Sequence, residues 1–182
     1  MFHLLYVARH GETEWNKKGI VSGRSDIALS EKGYQQAILL AEEVAELTVP
    51  ITKIIHSPLE RAKETARLVS ERNQLPMKMD ERLIELNYGD YDGTSEKQVD
   101  YLNRRTQFAM RYPNGESLMD VYARVVPLLK ELEQDTENVF LLVCHNSVTR
   151  AIKNYFEPLE NQAVFNYRTP NAKLIRFDKR TD

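Results

Sequence analysis

The sequence is poor in cysteine and nearly balanced in charge. Its single cysteine, Cys144, excludes a disulfide within the chain, which suits a reducing cytosol. The 25 basic and 27 acidic residues leave a formal net charge of -2, which gives no electrostatic basis for binding nucleic acid or an anionic membrane. We therefore expect a cytoplasmic protein whose partners are neither nucleic acid nor membrane.

Long apolar runs and repeats are also missing. No stretch approaches the roughly 18 apolar residues of a membrane helix. The N-terminus has no basic segment and reaches Arg9 and His10 before any apolar run of signal length. There is no internal repeat and no low-complexity segment. A chain of 182 residues can bury roughly 70% of its surface, so we expect residues 1–182 to form a single domain.

Short apolar segments alternate with amphipathic segments along the chain. Strands are predicted at 4–8, 51–56, 77–79, 83–86, 139–144 and 173–177. Helices are predicted to begin at Ser30, Ser57 and Ser117, which are good N-cap residues, and after His145. This alternation indicates an α/β fold, a three-layer α/β/α sandwich around a mostly parallel central sheet.

The helix after the second strand has the strongest start signal. Ser57 is predicted as its N-cap, Pro58 as its first helical residue, and Glu60 as the partner that completes a capping box. This start places Arg61 and Thr65 one turn apart on the same helix face.

The segment 87–116 is the least regular part of the sequence. Glycine and proline interrupt it repeatedly, and aromatic side chains crowd it. We predict a loop and one helix that form a small lid insertion over a site. In the helix that follows, Pro127 is expected to cause a kink because its ring removes one backbone hydrogen bond.

Basic and imidazole side chains follow the predicted strands. His10 follows the first strand, Arg61 lies one helical turn after the second, and His145 follows the most apolar one. Ligands of open α/β sheets bind at this edge. The guanidinium groups of Arg9 and Arg61 match phosphate oxygens. Gly11 has no Cβ, so a tetrahedral anion could approach its backbone.

These groups could take up a phosphoryl group without a metal, leaving His10 as the in-line nucleophile. The arginines should lower the pKa of His10 and keep its lone pair available. A carboxyl group must protonate the leaving alkoxide and then activate water, and Glu85 is the candidate. Glu12 is expected to orient the loop or pair with an arginine. We predict no metal, because histidines that lie among arginines are a poor site for a divalent cation. We also predict no cofactor.

Several short motifs occur in order along nearly the whole chain. They are Arg9-His10-Gly11-Glu12-Thr13 with Trp15-Asn16, Ser22-Gly23 with Asp26, Leu29-Ser30-Glu31-Lys32-Gly33 with Gln36-Ala37, Ser57-Pro58-Leu59 with Arg61-Ala62 and Thr65-Ala66, Glu85 with Tyr88-Gly89 and Gly93, Gly115-Glu116-Ser117 with Arg124, and His145. By these motifs the sequence resembles the histidine phosphatase superfamily, the phosphoglycerate mutase-like proteins. Each motif alone is weak, whereas their order and spacing together are specific.

The resemblance implies a phosphohistidine at His10, a phosphate pocket lined by Arg9, Arg61 and His145, and Glu85 as proton donor and acceptor. The candidate substrate-binding residues are Gly11, Glu12, Asn16, Ser22, Gly23 and Asn146. One position departs from the family, which usually has glycine after the second histidine. Asn146 stands there, and its amide could contact the substrate or narrow the pocket.

The leading hypothesis is a phosphomonoester hydrolase that acts on a small phosphorylated metabolite. The alternative is a cofactor-dependent phosphoglycerate mutase that uses the same phosphohistidine. Only about 30 residues separate Glu85 from Gly115, and so short a lid favours hydrolysis because it admits water. A third hypothesis, an inactive phosphate-binding module, has no support in the sequence. The motifs leave open the substrate and whether two copies form a homodimer.

A rival mechanism would use the cysteine. Cys144 and Arg150 have the C-x5-R spacing of cysteine-dependent phosphatases. That loop wraps its backbone around phosphate and favours glycine, whereas Val148 and Thr149 are β-branched. Val143 also stands where that family usually has histidine. Because a cysteine at the end of an apolar strand behaves as an inert hydrophobic residue, we expect it to play no chemical part.

Overall fold

The computed structural model describes residues 4–178, which contain one five-stranded sheet. The strands are β1 (Leu4–Arg9), β2 (Lys53–His56), β3 (Met77–Met79), β4 (Phe140–Cys144) and β5 (Leu174–Asp178). Their order is β3-β2-β4-β1-β5. Only β5 pairs antiparallel to its neighbour, and the other pairings are parallel. The prediction of a mostly parallel sheet is therefore confirmed.

Helices cover both faces of the sheet. They are α1 (Glu14–Lys18), α2 (Glu31–Ala45), α3 (Glu60–Asn73), α4 (Val99–Arg105), α5 (Leu118–Leu132), α6 (Asn146–Phe156) and α7 (Asn161–Asn166). Side chains of β1 alternate between two apolar cores, since Leu5 and Val7 pack with α5 and α6 while Tyr6 and Ala8 pack with α2 and α3. The three-layer α/β/α sandwich is thus confirmed.

The predicted helix caps are partly right. Ser30 accepts the N–H of Gly33, and Ser117 forms a capping box with Asp120. The cap predicted at Ser57 is wrong, because α3 begins at Glu60 and its N-cap, Leu59, makes no side-chain bond.

A distant carboxylate replaces the predicted local cap. Asp26, from the loop after α1, accepts the Glu60 N–H at 2.7 Å. The hydroxyl of Ser57 instead contacts His145 and the Leu59 N–H. A side chain from another part of the chain thus replaces a cap that the local pattern favours.

One other prediction needs correction, and two short helices were missed. Residues 83–86 form no strand, since a 3-10 helix at Glu81–Leu83 is followed by irregular chain. The short helices α1 and α7 were not predicted. Pro127 lies inside α5 as expected, and the kink there stays a prediction.

The segment 87–116 contains a 3-10 helix at Gly89–Tyr91 and α4, which agrees with a loop and one helix. Four of its tyrosine rings pack together, with centroids 5.0 to 6.2 Å apart. Gly89 has φ +54°, and a Cβ there would run into the carbonyl oxygen of Pro113. The two ends of the segment are therefore in backbone contact.

Candidate active site

The two central histidines leave adjacent parallel strands. His10 follows β1 and His145 follows β4, and the His10 N–H donates to the Cys144 carbonyl at 3.0 Å. Their ring centroids lie 5.1 Å apart, and both rings are buried. Because the carboxyl ends of parallel strands meet at one edge of a sheet, the predicted convergence of these residues is found.

The hydrogen bonds of His10 fix its tautomer. Its Nδ1 lies 2.7 Å from the Gly11 carbonyl oxygen, which can only accept. Its Nε2 lies 3.3 Å from Nε of Arg61, which can only donate. Nδ1 therefore carries the proton and Nε2 the lone pair. Burial, then the charges of Arg61 and Arg9, hold the pKa of His10 well below its usual value, so the ring is neutral.

Arg61 is fully buried at the start of α3. Its two terminal nitrogens donate to the carbonyls of Ser25 at 2.9 Å and Gly23 at 2.7 Å. Asp92, in the segment 87–116, accepts the N–H groups of the same two residues at 2.8 Å. The loop is thus shaped around the guanidinium, and Asp92 is a supporting residue that the sequence reasoning missed.

His145 presents one nitrogen to a serine and leaves the other without a partner. Its Nε2 lies 2.6 Å from Ser57 Oγ. Its Nδ1 is buried and has no hydrogen-bond partner among the described residues. Burial and then the charge of Arg61 hold the pKa of His145 well below its usual value.

Glu85 is buried against the N-terminus of α6. Its Oε1 accepts the N–H of Leu86 at 2.8 Å, while the N–H of Ser147 lies 3.3 Å from Oε1 and 3.4 Å from Oε2. The Ser147 hydroxyl is bonded in turn to Tyr88 at 3.0 Å. The carboxyl group is therefore held in place while Oε2 keeps hydrogen-bonding capacity for a ligand.

The segment before β5 forms one side of the site. Thr169 accepts a hydrogen bond from Arg9 Nη1 at 3.1 Å through its carbonyl, and its N–H donates to Asn146 Oδ1 at 3.0 Å. Asn171 donates to the His10 carbonyl at 2.9 Å. The departure at Asn146 thus has a structural role, because its oxygen joins α6 to this segment.

One cavity lies at this edge of the sheet. Six predicted residues line it: Arg9, His10, Asn16, Ser22, Glu85 and Asn146. Six more line it that the sequence did not assign to the site: Tyr88, Glu96, Tyr101, Arg105, Arg150 and Arg168. The C-x5-R pattern did mark Arg150, although for a different chemistry.

The additional basic residues converge on the segment before β5. Arg150 donates to the carbonyls of Tyr167 at 3.0 Å and Phe165 at 3.1 Å, and Arg105 donates to the same Phe165 carbonyl at 3.0 Å. Arg168 pairs with Glu96 at 3.7 Å. We call Glu96, Arg105 and Arg168 the outer group, and His10, Arg61, Glu85 and His145 the inner group.

The structure does not bring Gly11 or Glu12 into the cavity. The Gly11 N–H donates to Thr65 Oγ1 at 3.0 Å, and a Cβ at Gly11 would run into the Gly33 carbonyl. Its glycine is therefore required by packing against α2, and the approach of an anion to its backbone stays a prediction. The Glu12 carboxylate pairs with Lys32 at 2.9 Å.

Gly23 is likewise absent from the cavity lining, and its carbonyl anchors Arg61. Ser22 does reach the cavity, with a buried hydroxyl that has no partner among the described residues. Asn16 also lines it, while its side-chain oxygen accepts the N–H of Thr13. The predicted contact residues thus divide into cavity-lining and supporting ones.

The cysteine is poorly placed for chemistry. Cys144 is fully buried in β4, and burial raises the pKa of its thiol. Between residues 4 and 178, no three or more His, Cys, Asp or Glu side chains are grouped so that they could hold a metal ion. In the same range no helix has the length and apolar character needed to cross a membrane.

The sequence profile of the histidine phosphatase superfamily (branch 1) matches residues 5–182. The chain is 32% identical to chicken 6-phosphofructo-2-kinase/fructose-2,6-bisphosphatase over 94% of its own length, and it spans only 36% of that protein. It is 31% identical to a probable phosphoglycerate mutase of Escherichia fergusonii, covering 96% of this chain and 84% of that protein.

A solved structure shares the fold. It is a mycobacterial glucosyl-3-phosphoglycerate phosphatase in complex with VO3, at 29% identity and a TM-score of 0.85, covering 96% of this chain and 90% of the other. Phosphatases and phosphoglycerate mutase-like proteins thus both occur among the relatives. The chain belongs to the histidine phosphatase superfamily.

Proposed function

We propose that this protein is a metal-independent phosphatase that hydrolyses a small phosphorylated metabolite through a phosphohistidine at His10. One observation carries the proposal. His10 is buried and neutral, its Nδ1–H is held by Gly11, and the lone pair of Nε2 faces the guanidinium of Arg61. A nucleophile of fixed tautomer beside a fixed positive charge suits attack on a phosphoryl group.

The reaction has two balanced steps. In the first, Nε2 of His10 bonds to phosphorus while the ester P–O bond breaks, and the leaving oxygen takes a proton from Glu85. In the second, Glu85 removes a proton from water, the water oxygen bonds to phosphorus, and the P–N bond breaks. Orthophosphate leaves, and both residues return to their starting states.

The basic residues supply the charge that the phosphoryl oxygens require. Arg61 lies against His10, and the buried Nε of Arg9 has no partner among the described residues. His145 adds the unpartnered Nδ1. Such preorganised donors stabilise the charge spread over the phosphoryl oxygens in the transition state, which is why we assign no step to a metal.

Glu85 is suited to move the proton. Oε1 is occupied by the N–H of Leu86 at 2.8 Å, whereas Oε2 has only the long contact to the N–H of Ser147 at 3.4 Å. Oε2 is therefore the oxygen on which we place the exchanged proton. The carboxyl lines the same cavity as His10, within reach of a leaving group bound there.

The remaining cavity residues support a small, polar leaving group. Arg105 and Arg150 share the Phe165 carbonyl, and neither has a carboxylate partner among the described ion pairs. We propose that the segment 87–116, which supplies Arg105, is the lid over this part of the site. A metabolite with a second anionic group beyond its phosphate would match these charges.

A phosphoglycerate mutase using the same phosphohistidine is the second candidate. The likeness to a probable mutase of Escherichia fergusonii over 96% of this chain favours it. A mutase must return the phosphoryl group to the bound intermediate before water takes it. The segment 87–116 contributes only one helix of 7 residues, which favours access of water and therefore hydrolysis.

A comparison of His10→Ala with the wild type on p-nitrophenyl phosphate and a panel of phosphorylated metabolites tests the proposal. The kcat of His10→Ala should be lower than that of the wild type by roughly 10⁴-fold or more. The wild type should form an acid-labile, base-stable phosphoenzyme, and His10→Ala should not. The matched control is His56→Ala, since His56 is also buried at a strand end but does not line the cavity. Chelator should leave the wild-type rate unchanged.

Product analysis separates the two candidates. With 3-phosphoglycerate and a catalytic amount of 2,3-bisphosphoglycerate, a phosphatase releases orthophosphate and a mutase forms 2-phosphoglycerate. Equal inactivity of wild type and His10→Ala on every monoester would refute both.

A further inference from the structure

Ser57 is a buried hydroxyl to which the proposed mechanism gives no role. It follows β2, and its backbone N–H donates to the Val143 carbonyl on β4 at 3.0 Å. Its Oγ lies 2.6 Å from Nε2 of His145 and accepts the N–H of Leu59 at 3.3 Å. Both Ser57 and His145 are fully buried. The hydroxyl therefore contacts His145 from the neighbouring strand, shielded from water.

The protons in this contact can be counted. Burial and the charge of Arg61 lower the pKa of His145, so the ring is neutral and only one of its nitrogens carries a proton. A serine hydroxyl likewise has one proton to donate. The structure offers the Ser57 hydroxyl no acceptor other than His145 within the described residues. Two arrangements are then available.

In the first arrangement, Nε2 of His145 carries the proton and donates to Ser57. The serine proton then has no acceptor, and the lone pair of Nδ1 is also left unpartnered. In the second, Ser57 donates to Nε2, and only the Nδ1–H lacks a partner. Because buried polar groups without partners are costly, the second arrangement is favoured.

We propose that Ser57 is a positioning residue that holds His145 in the tautomer with the proton on Nδ1, leaving this N–H to donate to a phosphoryl oxygen. The inference rests on the proposed function, because the oxygen belongs to the group that His10 receives. Each of the two histidines then carries its proton on Nδ1, but the two rings have opposite roles. His10 turns the lone pair of Nε2 to the reaction, whereas His145 turns its Nδ1–H to it.

The direct test is the ¹⁵N spectrum of the histidine rings in the labelled protein. The chain has four histidines, and loss of signals in His145→Gln identifies those of His145. We expect the wild type to have the proton on Nδ1. In Ser57→Ala, the population should move towards the form with the proton on Nε2.

Activity and anion binding should follow the tautomer. Loss of a whole oxyanion donor lowers kcat by about 10²- to 10³-fold. Because Ser57→Ala only shifts the tautomer population, we expect kcat/KM to fall by about 10- to 100-fold. Inhibition by orthophosphate should weaken in parallel. Ser57→Thr, which keeps the hydroxyl, should recover both the tautomer and most of the activity.

Ser117→Ala is the matched control. Ser117 is also a buried serine, but it caps α5 and makes no contact with the inner group. Its loss should lower stability and leave the His145 signals unchanged.

Two results would overturn the inference. One is a wild-type spectrum with the proton on Nε2, which decides the matter even where Ser57→Ala fails to fold. The other is an unchanged tautomer in a folded Ser57→Ala protein, whatever its activity. The proposed function is tested separately, and it fails if no monoester is hydrolysed. The tautomer and orthophosphate binding can still be measured in that case, because neither measurement needs turnover.

Discussion

The inner and outer groups of the site are built differently. All three outer residues line the cavity, whereas in the inner group His10 and Glu85 line it and Arg61 and His145 lie behind the lining. His10, Arg61, Glu85 and His145 are each at most 4% exposed, and each contacts backbone or a buried side chain. In the outer group, the side chain of Arg168 is 55% exposed and that of Glu96 is 33% exposed, and they meet only at 3.7 Å.

On the proposed function, we expect this difference to separate catalysis from substrate specificity. Side chains held on several sides keep one geometry, which phosphoryl transfer needs. Side chains on loops can change without disturbing the core. The inner group should therefore govern kcat, and the outer group should govern which leaving group is accepted.

After His10→Ala itself, the largest effect should come from Arg61→Ala. It removes a fixed charge, the contact to His10 Nε2 and the anchors of the loop at Gly23 and Ser25. We expect kcat/KM on p-nitrophenyl phosphate to fall by about 10³-fold. Arg67→Ala on the same helix, where Arg67 pairs with Glu64 at the surface, should change it little. If kcat/KM of Arg61→Ala fell by less than about tenfold, the inner group would not govern catalysis as we expect.

Glu85→Gln should come next and should depend on the leaving group. The amide cannot give up a proton, so hydrolysis of an alkyl phosphate should slow by about 10²- to 10³-fold. On p-nitrophenyl phosphate the loss should be much smaller, because p-nitrophenolate departs without protonation. Glu96→Gln, which changes another carboxylate of the cavity lining, should affect both substrates alike. If Glu85→Gln lost the same factor in rate on both substrates, Glu85 would not be the general acid.

Arg105→Met should have a smaller effect, confined to KM. For a phosphomonoester with a carboxylate in its leaving group, we expect KM to rise about tenfold, as loss of one charge-assisted hydrogen bond predicts. Glycerol phosphate should show almost no change. Arg104→Met is the control, since Arg104 donates to the Arg111 carbonyl and does not line the cavity. A fall in kcat for both substrates would place Arg105 in the inner group.

The smallest effect concerns stability against pH. The pKa values of His10 and His145 are lowered in the folded state, so below about pH 6.5 the unfolded chain binds more protons. Stability should be fully present above that pH and decrease as the pH falls, by up to about 1.4 kcal/mol per pH unit for each histidine. Urea unfolding at several pH values measures this slope, and His10→Ala should reduce it. A flat profile would mean that neither ring is held neutral by the fold.

Three residues of the inner group, all but Glu85, could be placed from the sequence because they lie next to local signals. His10 and His145 directly follow apolar strands, and Arg61 lies in the first turn of a helix after the Ser57-Pro58-Leu59 run. Parallel strands bring such ends together whatever the rest of the chain does.

The outer group carries no such signal. Arg105 and Arg168 lie in segments without periodicity, and their meeting depends on how the segment 87–116 packs on the residues before β5. The misplaced cap at Ser57 has the same cause. Asp26 lies 34 residues from the Glu60 N–H that it accepts, and no local pattern reveals that contact.

The sequence by itself determined the strands β1 to β5, the long helices between them, and the place of the inner-group histidines at the ends of β1 and β4. Only the tertiary structure decided which atoms of that group are available. The lone pair of His10 is at Nε2 because Gly11 and Arg61 hold the ring from opposite sides. Asn146 supports Thr169 and Gly11 packs on Gly33. These contacts join residues that are far apart in the sequence. A hydrogen bond depends on the distance and angle between its atoms, which only the folded structure fixes.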